Sequence, residues 1–475
     1  MVRVFGHYLP LRAILFSAFE LAAFVALFNI FKIATLYLVF GHLAPLYAES
    51  VMLPIFLGFV FATASACGLY NKEMFADTNR LISRLVIVSV LMYFLMAMSV
   101  SLVGLFADNS ENLKYYYAIA LAASIGWFVT SLLFRLNFFA HNFNGTALER
   151  RVLVVGVDER AAKIEHLHGH SRSPYTTVGF VPFGAESKCT AISYTKIISG
   201  RIMENPGELA RLATARRVDE IVVASRERRG LPLESLMECK LAGITVTDFP
   251  SFWERQTGQI DLEEMTPSWL IFSNGFRTTW QGEFAKRCFD IVVSLLLLIV
   301  TLPITVATAI LVKLETPGPV FYRQERVGHG GRTFNVLKFR SMGVDAEKDG
   351  IARWAQNSDP RVTKVGNFIR RTRIDEIPQV INVLLGQMSF VGPRPERPVF
   401  VNSLIQKIPY YDVRHRVKPG ITGWAQINYP YGASDEDARN KLTFDLYYVK
   451  NWNLFIDAVI LFQTARVVLW REGAR

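Results

Sequence analysis

Apolar residues are not spread evenly along the chain. Four stretches, about 13–40, 51–70, 85–106 and 115–134, are almost continuously hydrophobic. Each is close to the ~20 residues a helix needs to cross a bilayer core. They predict a four-helix transmembrane domain over residues 1–140, its first span interrupted by Glu20 and Lys32. The N-terminus does not read as a cleavable signal peptide, because the apolar run is too long and no small-residue cleavage site follows. Basic residues mark every second loop: Arg3 and Arg12 before the first span, Lys72, Arg80 and Arg84 after the second, and Arg135, Arg150 and Arg151 after the fourth. The positive-inside rule then puts both ends of the bundle in the cytoplasm. The plain expectation for this bundle is an anchor.

The pattern changes at Arg151. RVLVVGV (151–157), VDEIVVAS (218–225) and GITVTDF (243–249) are short buried-strand runs separated by helical periodicity. Such alternation predicts a small Rossmann-like α/β domain within 141–280, ending in a linker. Its phosphate loop would be Gly156-Val157-Asp158-Glu159-Arg160. Only one of the three glycines of a dinucleotide fingerprint is present, and two acids sit where a pyrophosphate needs room. A domain without a ligand loop points to packing or homodimer formation.

A fifth apolar run, CFDIVVSLLLLIVTLPITVATAILV (288–312), is long enough to cross. Both its flanks are basic, with Lys286 and Arg287 before and Lys313, Arg323 and Arg326 after. A crossing would carry the most cationic part of the chain outside. Pro303 removes a helix hydrogen bond near the middle of the run. We therefore expect a re-entrant helix, about 284–314, that dips into one leaflet and returns. The fold class expected for the whole is a membrane protein, α plus α/β: bundle, Rossmann-like domain, and a monotopic α/β domain over 281–475.

Charge sharpens this division. The net charge is +11, and residues 281–475 carry 27 Lys+Arg against 18 Asp+Glu. A cationic domain tied to a membrane implies anionic partners such as lipid head groups or a nucleotide, and nucleic acid fits poorly with so much apolar chain. The four cysteines (Cys67, Cys189, Cys239, Cys288) show no disulfide or zinc spacing, which suits a reducing compartment.

The densest chemistry lies in RRTRIDEIPQVINVLLGQMSFVGPRP (370–395). Asp375 and Glu376 follow Arg370, Arg371 and Arg373 and precede Arg394. Such a cluster suits a diphosphate, and cations should keep a carboxylate among them ionised by lowering its pKa. Pro378 is well placed for the first turn of a helix running to about Leu385. Acids in that position are usually caps; the arginines tilt the reading toward chemistry without settling it. Lys338 and Arg340, in the strand-like KFRSM (338–342), read either as solvated charges or, just past the membrane run, as phosphate contacts.

Residues 281–475 resemble the catalytic domain of the bacterial monotopic phosphoglycosyl transferases, the polyprenyl-phosphate sugar-1-phosphate transferases. The resemblance rests on FDIVVSLLLLIVTLPI, PGPVFYRQERVGHGGRTFNVLKFRSM, IRRTRIDEIPQVINVLLGQMSFVGPRP, RHRVKPGITGWAQIN and FDLYYVKNW, in that order. The four spans and Rossmann-like middle resemble the long-form members that start exopolysaccharide or O-antigen units. The resemblance implies an enzyme of the bacterial inner membrane, its catalytic domain on the cytoplasmic face. It implies that Asp375 is the nucleophile, attacking a UDP-sugar and releasing UMP, and that undecaprenyl phosphate collects the sugar phosphate. It implies Glu376 as the partner of Asp375, Mg²⁺ held by these two carboxylates, Arg370 and Arg394 on phosphate, Lys338 and Arg340 in the substrate-facing block, and Pro303 as the bend. Lys418, Gly420, Thr422, Gly423, Trp424 and Gln426 fall in a shared loop without separate roles. Arg373 stands where many relatives carry Ser. A glucose or galactose donor is expected. The competing expectation is a non-catalytic scaffold of polysaccharide assembly.

Overall fold

A computed structural model describes residues 2–4, 7–9, 11–40, 49–70, 78–104, 113–142, 150–170, 175–182, 192–203, 207–226, 230–276, 279–343, 361–430, 432 and 434–470. Its contacts divide the chain into two compact units, the boundary falling between Gly258 and Gln259. Two three-residue strands, β1 (Val2–Val4) and β2 (His7–Leu9), precede the first helix.

The first unit opens with α1 (Leu11–Phe40), α2 (Glu49–Ala66), α3 (Thr78–Gly104) and α4 (Leu113–Asn142). Segments Ile14–Leu38, Leu81–Gly104 and Lys114–Asn137 are long and apolar enough to cross a membrane; α2 is apolar over the shorter stretch Met52–Ala66. Phe24, Phe28, Phe56, Met92 and Trp127 are fully buried where the helices meet, while Leu38, Phe94 and Leu133 face outward. An exterior this apolar suits lipid rather than water.

Glu20 sits inside the bundle with no oxygen left idle. It accepts from the Tyr70 hydroxyl at 2.9 Å, from Ser131 and from Arg135, whose Nη2 lies 2.5 Å away. Arg135 also donates to the Leu69 carbonyl at 2.8 Å, and Arg84 to the Cys67 carbonyl at 3.0 Å. Arg84 and Arg135, expected as loop charges, are therefore buried within α3 and α4. A buried ion pair with every partner satisfied can persist in low dielectric, which accounts for an acid in the first apolar run.

Next come β3 (Arg150–Val155), α5 (Glu159–His170), β4 (Tyr175–Val181), α6 (Glu208–Ala215), β5 (Glu220–Val223), α7 (Leu233–Leu241), β6 (Thr245–Asp248) and α8 (Phe249–Thr257). The strands form one parallel sheet in the order β4-β3-β5-β6. Val152 and Val154 face a layer that includes Ala161 of α5 and Phe252 of α8; Leu153 and Val155 face Leu209 of α6 and Leu236 of α7. A sheet covered on both faces needs continuous apolar strands, and three of them were predicted as such. Strand β4 was not, because Thr176, Thr177 and Gly179 break the run. Arg160, in the first turn of α5, donates to the Ser225 carbonyl at 2.7 Å and lies over the Phe249 ring.

The second unit begins with α9 (Pro267–Phe272). Residues 260–276, expected as linker, pack into its core: Ile260 and Met265 are buried there, and the Phe276 amide donates to the Lys450 carbonyl at 3.0 Å. The long α10 (Trp280–Glu315) contains Pro303. Strands β7 (Phe321–Val327) and β8 (Thr333–Phe339) form an antiparallel hairpin. Then follow α11 (Lys364–Arg371), a 3-10 turn (Ile374–Glu376), α12 (Gln379–Leu384), β9 (Ser389–Val391), α13 (Pro398–Lys407), a second 3-10 turn (Tyr411–Arg416), β10 (Gly420–Thr422), α14 (Trp424–Asn428), α15 (Asp435–Asn451) and α16 (Leu454–Trp470). Val383, Met388, Leu446 and Tyr447 are fully buried at the centre, each contributing ~1.5–3 kcal/mol through burial.

Both ends of α10 are tied to this unit. Near its start, Lys286 reaches Asp457 (2.5 Å), Arg287 donates to the last carbonyls of α12 (2.7 and 2.6 Å), and Asp290 accepts from Ser389 and the Phe390 amide. At its end, Glu315 accepts from the Val365 amide and Arg340 donates to the Thr316 and Pro317 carbonyls. Between these anchors Ile299, Val300 and Leu302 are exposed.

Candidate active site

The acid pair lies in a single 3-10 turn. Arg373, which enters it, has φ 60°, a left-handed conformation that costs a non-glycine residue ~1 kcal/mol or more. Pro378 caps α12 (Gln379–Leu384), in line with the helix expected to run from there to about Leu385, and the acids precede it by a short link.

Two further segments reach this turn. Asn382 of α12 accepts from the Leu337 amide at 2.9 Å and donates to the Asn335 carbonyl at 2.7 Å. This clips the edge of β8 to α12 and brings the next residue, Lys338, against Glu376. Arg394 arrives from the Gly-Pro-Arg-Pro segment after β9. The Gly392 amide donates to the Thr422 carbonyl and the Gly420 amide to the Pro393 carbonyl, locking that segment onto β10. A Cβ on Gly392 would stand 2.2 Å from the Lys418 carbonyl oxygen, and one on Gly420 would meet the Gly392 amide nitrogen at 2.1 Å. Glycine is required there by close backbone approach. The Pro-Gly-Ile-Thr-Gly loop thus helps to hold Arg394.

The two carboxylates have opposite surroundings. Glu376 Oε1 accepts from Lys338 Nζ at 3.0 Å and Arg394 Nη2 at 2.9 Å, with Arg373 Nη1 at 4.0 Å. Burial alone would raise its pKa, but Arg394, Lys338 and Arg373 together outweigh it and hold the group well below the usual carboxylate range. Asp375 is 8% exposed, and its Oδ1 is buried with no hydrogen-bond partner. Its pKa is raised, first by burial and then by the neighbouring Glu376 charge; Lys338, Arg373 and Arg370 pull it back only in part. The cations lower the pKa of Asp375 as expected of charges nearby, but burial and Glu376 outweigh them and the net shift is upward. At Glu376, which Lys338 and Arg394 touch directly, the cations prevail and the net shift is downward. Burial lowers the pKa of Lys338, and Glu376 offsets this in part.

Of the predicted site residues, Asp375, Glu376, Lys338 and Arg394 are brought together. Arg370, in the last turn of α11, acts on Asp375 by its charge. Arg340 is placed elsewhere: its guanidinium caps the end of α10 through the Thr316 and Pro317 carbonyls at 2.7 and 2.8 Å. Pro303 lies on the exposed apolar part of α10. In the shared loop, Trp424 stacks on Tyr447, and Gln426 donates to the Ile421 carbonyl. Asn382 and Arg414 were not singled out from the sequence. Arg414 is buried, pairs with Asp445 at 2.8 Å and donates to the carbonyl of Arg394 at 2.9 Å. Only its place in the quoted Arg-His-Arg-Val block marked it.

An acid fixed between two cations thus lies directly beside a second acid with a bare, buried oxygen. Residues 281–471 match the sequence profile of the bacterial sugar transferases. Over 379 residues, 77% of this chain and 78% of the relative, the chain is 33% identical to a UDP-glucose:undecaprenyl-phosphate glucose-1-phosphate transferase of Klebsiella pneumoniae. The chain belongs to the bacterial sugar transferase family. It is also 43% identical over 240 residues to a UDP-N-acetylgalactosamine-undecaprenyl-phosphate N-acetylgalactosaminephosphotransferase of Aeromonas hydrophila, and 40% identical over 264 residues to an Escherichia coli UDP-glucose:undecaprenyl-phosphate glucose-1-phosphate transferase. Each of these matches spans 56% of the relative's length. The names of these relatives describe the movement of a sugar phosphate onto undecaprenyl phosphate.

Proposed function

We propose that this sugar transferase moves a sugar 1-phosphate from a UDP-sugar to undecaprenyl phosphate through a covalent intermediate on Asp375, as the first membrane step in building a surface polysaccharide. The observation that carries the proposal is the bare Oδ1 of Asp375 beside a Glu376 whose Oε1 is held by Lys338 and Arg394. In the first half-reaction a carboxylate oxygen of Asp375 bonds to the β-phosphorus, and the bond from that phosphorus to the α-phosphate oxygen breaks. UMP leaves with the electron pair. In the second, an oxygen of undecaprenyl phosphate attacks the same phosphorus, and Asp375 departs as a carboxylate. Splitting one displacement into two lets a soluble and a lipid substrate use the site in turn.

Each residue has a part. The raised pKa of Asp375 makes it a more basic, and so better, nucleophile at any pH where it is ionised. Arg394 and Lys338 supply charge for the diphosphate, and Glu376 holds both in position when no substrate is present. Arg370 and Arg373 keep Asp375 from protonating further. Among the described residues no group of three or more metal-ligating side chains exists. A divalent ion fits through the bare oxygen of Asp375 together with donor phosphates, the sparse protein ligation Mg²⁺ accepts. When bound it would neutralise and orient the diphosphate.

The tethering of both ends of α10 to one unit supports a re-entrant helix with its apolar middle in one leaflet of the inner membrane. Its basic flanks favour the cytoplasmic face, where nucleotide sugars are available.

The test is UMP release from a panel of UDP-sugars with undecaprenyl phosphate and Mg²⁺, together with capture of the sugar-phosphoryl adduct. Mass spectrometry should place the adduct on the peptide containing Asp375. An adduct on another residue, or turnover without any, would overturn the covalent mechanism.

A further inference from the structure

Among the described residues from 150 to 258, three large apolar side chains are strongly exposed, and all three lie on α7. They are Leu233 (70%), Met237 (58%) and Leu241 (79%). Their spacing, i, i+4 and i+8, makes one continuous ridge along the helix. The other side of α7 is already in use, because Leu236 and Cys239 are buried with Leu153 and Val155 of the sheet. A helix that is apolar on both sides belongs between two layers. The sheet supplies one of them.

The charges beside the ridge narrow what covers it. Glu234 and Lys240 are exposed on its two flanks, each three residues from Met237. Glu238 adds a second acid, so the helix sets two acids against one lysine. An anionic membrane surface calls for a basic face instead. A copy of the same helix fits better. The pattern is symmetric about Met237, with leucine four residues away on each side and opposite charges three residues away. When the i±4 ridges of two helices interdigitate, the ridges run parallel and the helices cross at about −50°. A two-fold axis along the ridges then sets Glu234 of one copy beside Lys240 of the other, and does so twice.

We propose that the outer face of α7 is a self-association surface, on which two copies of this chain pack about a two-fold axis along the Leu233-Met237-Leu241 ridge. Three apolar side chains per copy fall short of the ~800 Å² per partner that a standard interface buries. Two copies anchored in one membrane meet at a high effective concentration, so a small matched contact is enough to hold them. The paired charges fix the register, since like charges face each other in the wrong one.

The test uses the full chain reconstituted in liposomes. A benzophenone amino acid replaces Met237, and irradiation should give a product of twice the chain mass whose cross-link joins α7 to α7. A cross-link within one chain to residues 259–475, or to lipid, would overturn the proposal by giving that face to the second unit or to the bilayer. Charge exchange supplies the second readout, followed by energy transfer between differently labelled copies. Glu234→Lys alone and Lys240→Glu alone each place like charges at both contacts, so each should weaken self-association about tenfold. Both positions are exposed, and the variants should fold as the wild type does. Mixing the two variants sets lysine against glutamate at both contacts again, and their association should return to within about threefold of wild type. A mixture that associates no better than either variant alone, or wild-type copies that do not associate, would sink the idea.

Discussion

Glu20 in the bundle and Asp375 in the second unit are both buried acids with arginine nearby, yet they are treated in opposite ways. Glu20 is closed off: Tyr70, Ser131 and Arg135 all donate to it, and Arg135 ties it to the Leu69 carbonyl as well. Asp375 is equally well hidden but keeps an oxygen with no partner, while its neighbour Glu376 takes the cations. The difference separates an acid that holds helices together from one that can react. A buried polar group left unmet costs ~1–3 kcal/mol, and that cost is accepted where chemistry needs the open atom. A comparison of this kind can be broken at either end.

The largest effect belongs at the reactive end. Asp375→Asn keeps the shape and removes the proposed nucleophile, so UMP release should fall at least about a thousandfold while the protein still inserts and folds. Activity near wild type in a correctly folded variant would sink the assignment. Next in size is the structural end. Glu20→Ala leaves Arg135 buried and unpaired, which should lower stability in detergent by ~3–5 kcal/mol. The double variant Glu20→Gln with Arg135→Met removes both charges and should recover much of that loss. If the single variant unfolds no more readily than the double, the pair is not what holds α1 to α4.

Glu376→Gln tests the partition between the two acids. It loosens Arg394 and Lys338 and removes a negative charge beside Asp375. Since that charge raises the pKa of Asp375, the acid limb of the rate profile should move to lower pH as kcat falls. In the wild type the limb should lie above the ordinary Asp value of ~3.9, because burial and Glu376 raise it. For stability the two acids oppose each other. The lowered pKa of Glu376 favours folding above the ordinary carboxylate range, a benefit lost only as pH falls far below it. The raised pKa of Asp375 favours folding in acid, a benefit lost as pH climbs through the raised value.

Much of this was legible in the sequence where the signal is local. Parallel strands such as Val152–Val155 announce themselves as apolar runs, and the clustering of Asp375 and Glu376 with arginines is visible in a line of text. What was not legible depends on residues far apart in the chain. Arg340 looks like a phosphate ligand until the fold sets it against Thr316, 24 residues upstream. The need for glycine at 392 and 420 arises only when two backbones cross. The direction of the shift at Asp375 depends on burial, which the arginines around it in sequence do not reveal. Arg84 and Arg135 read as loop charges because an ion pair inside an apolar helix has no local signature.

Arg373 offers the finest test of the difference between the two acids. Its side chain is 60% exposed and its backbone is left-handed. Glycine would relieve that strain but add freedom to the unfolded chain, so Arg373→Gly should change stability by less than ~1 kcal/mol. Its charge is a separate matter, since it helps to hold the pKa of Asp375 down. Solvent screening keeps such an exposed contribution small. The acid limb of UMP release should move up slightly, with the plateau rate little changed. A limb that stays in place or moves down would show that Arg373 does not act on Asp375, leaving the pKa of that acid to burial, Glu376, Lys338 and Arg370.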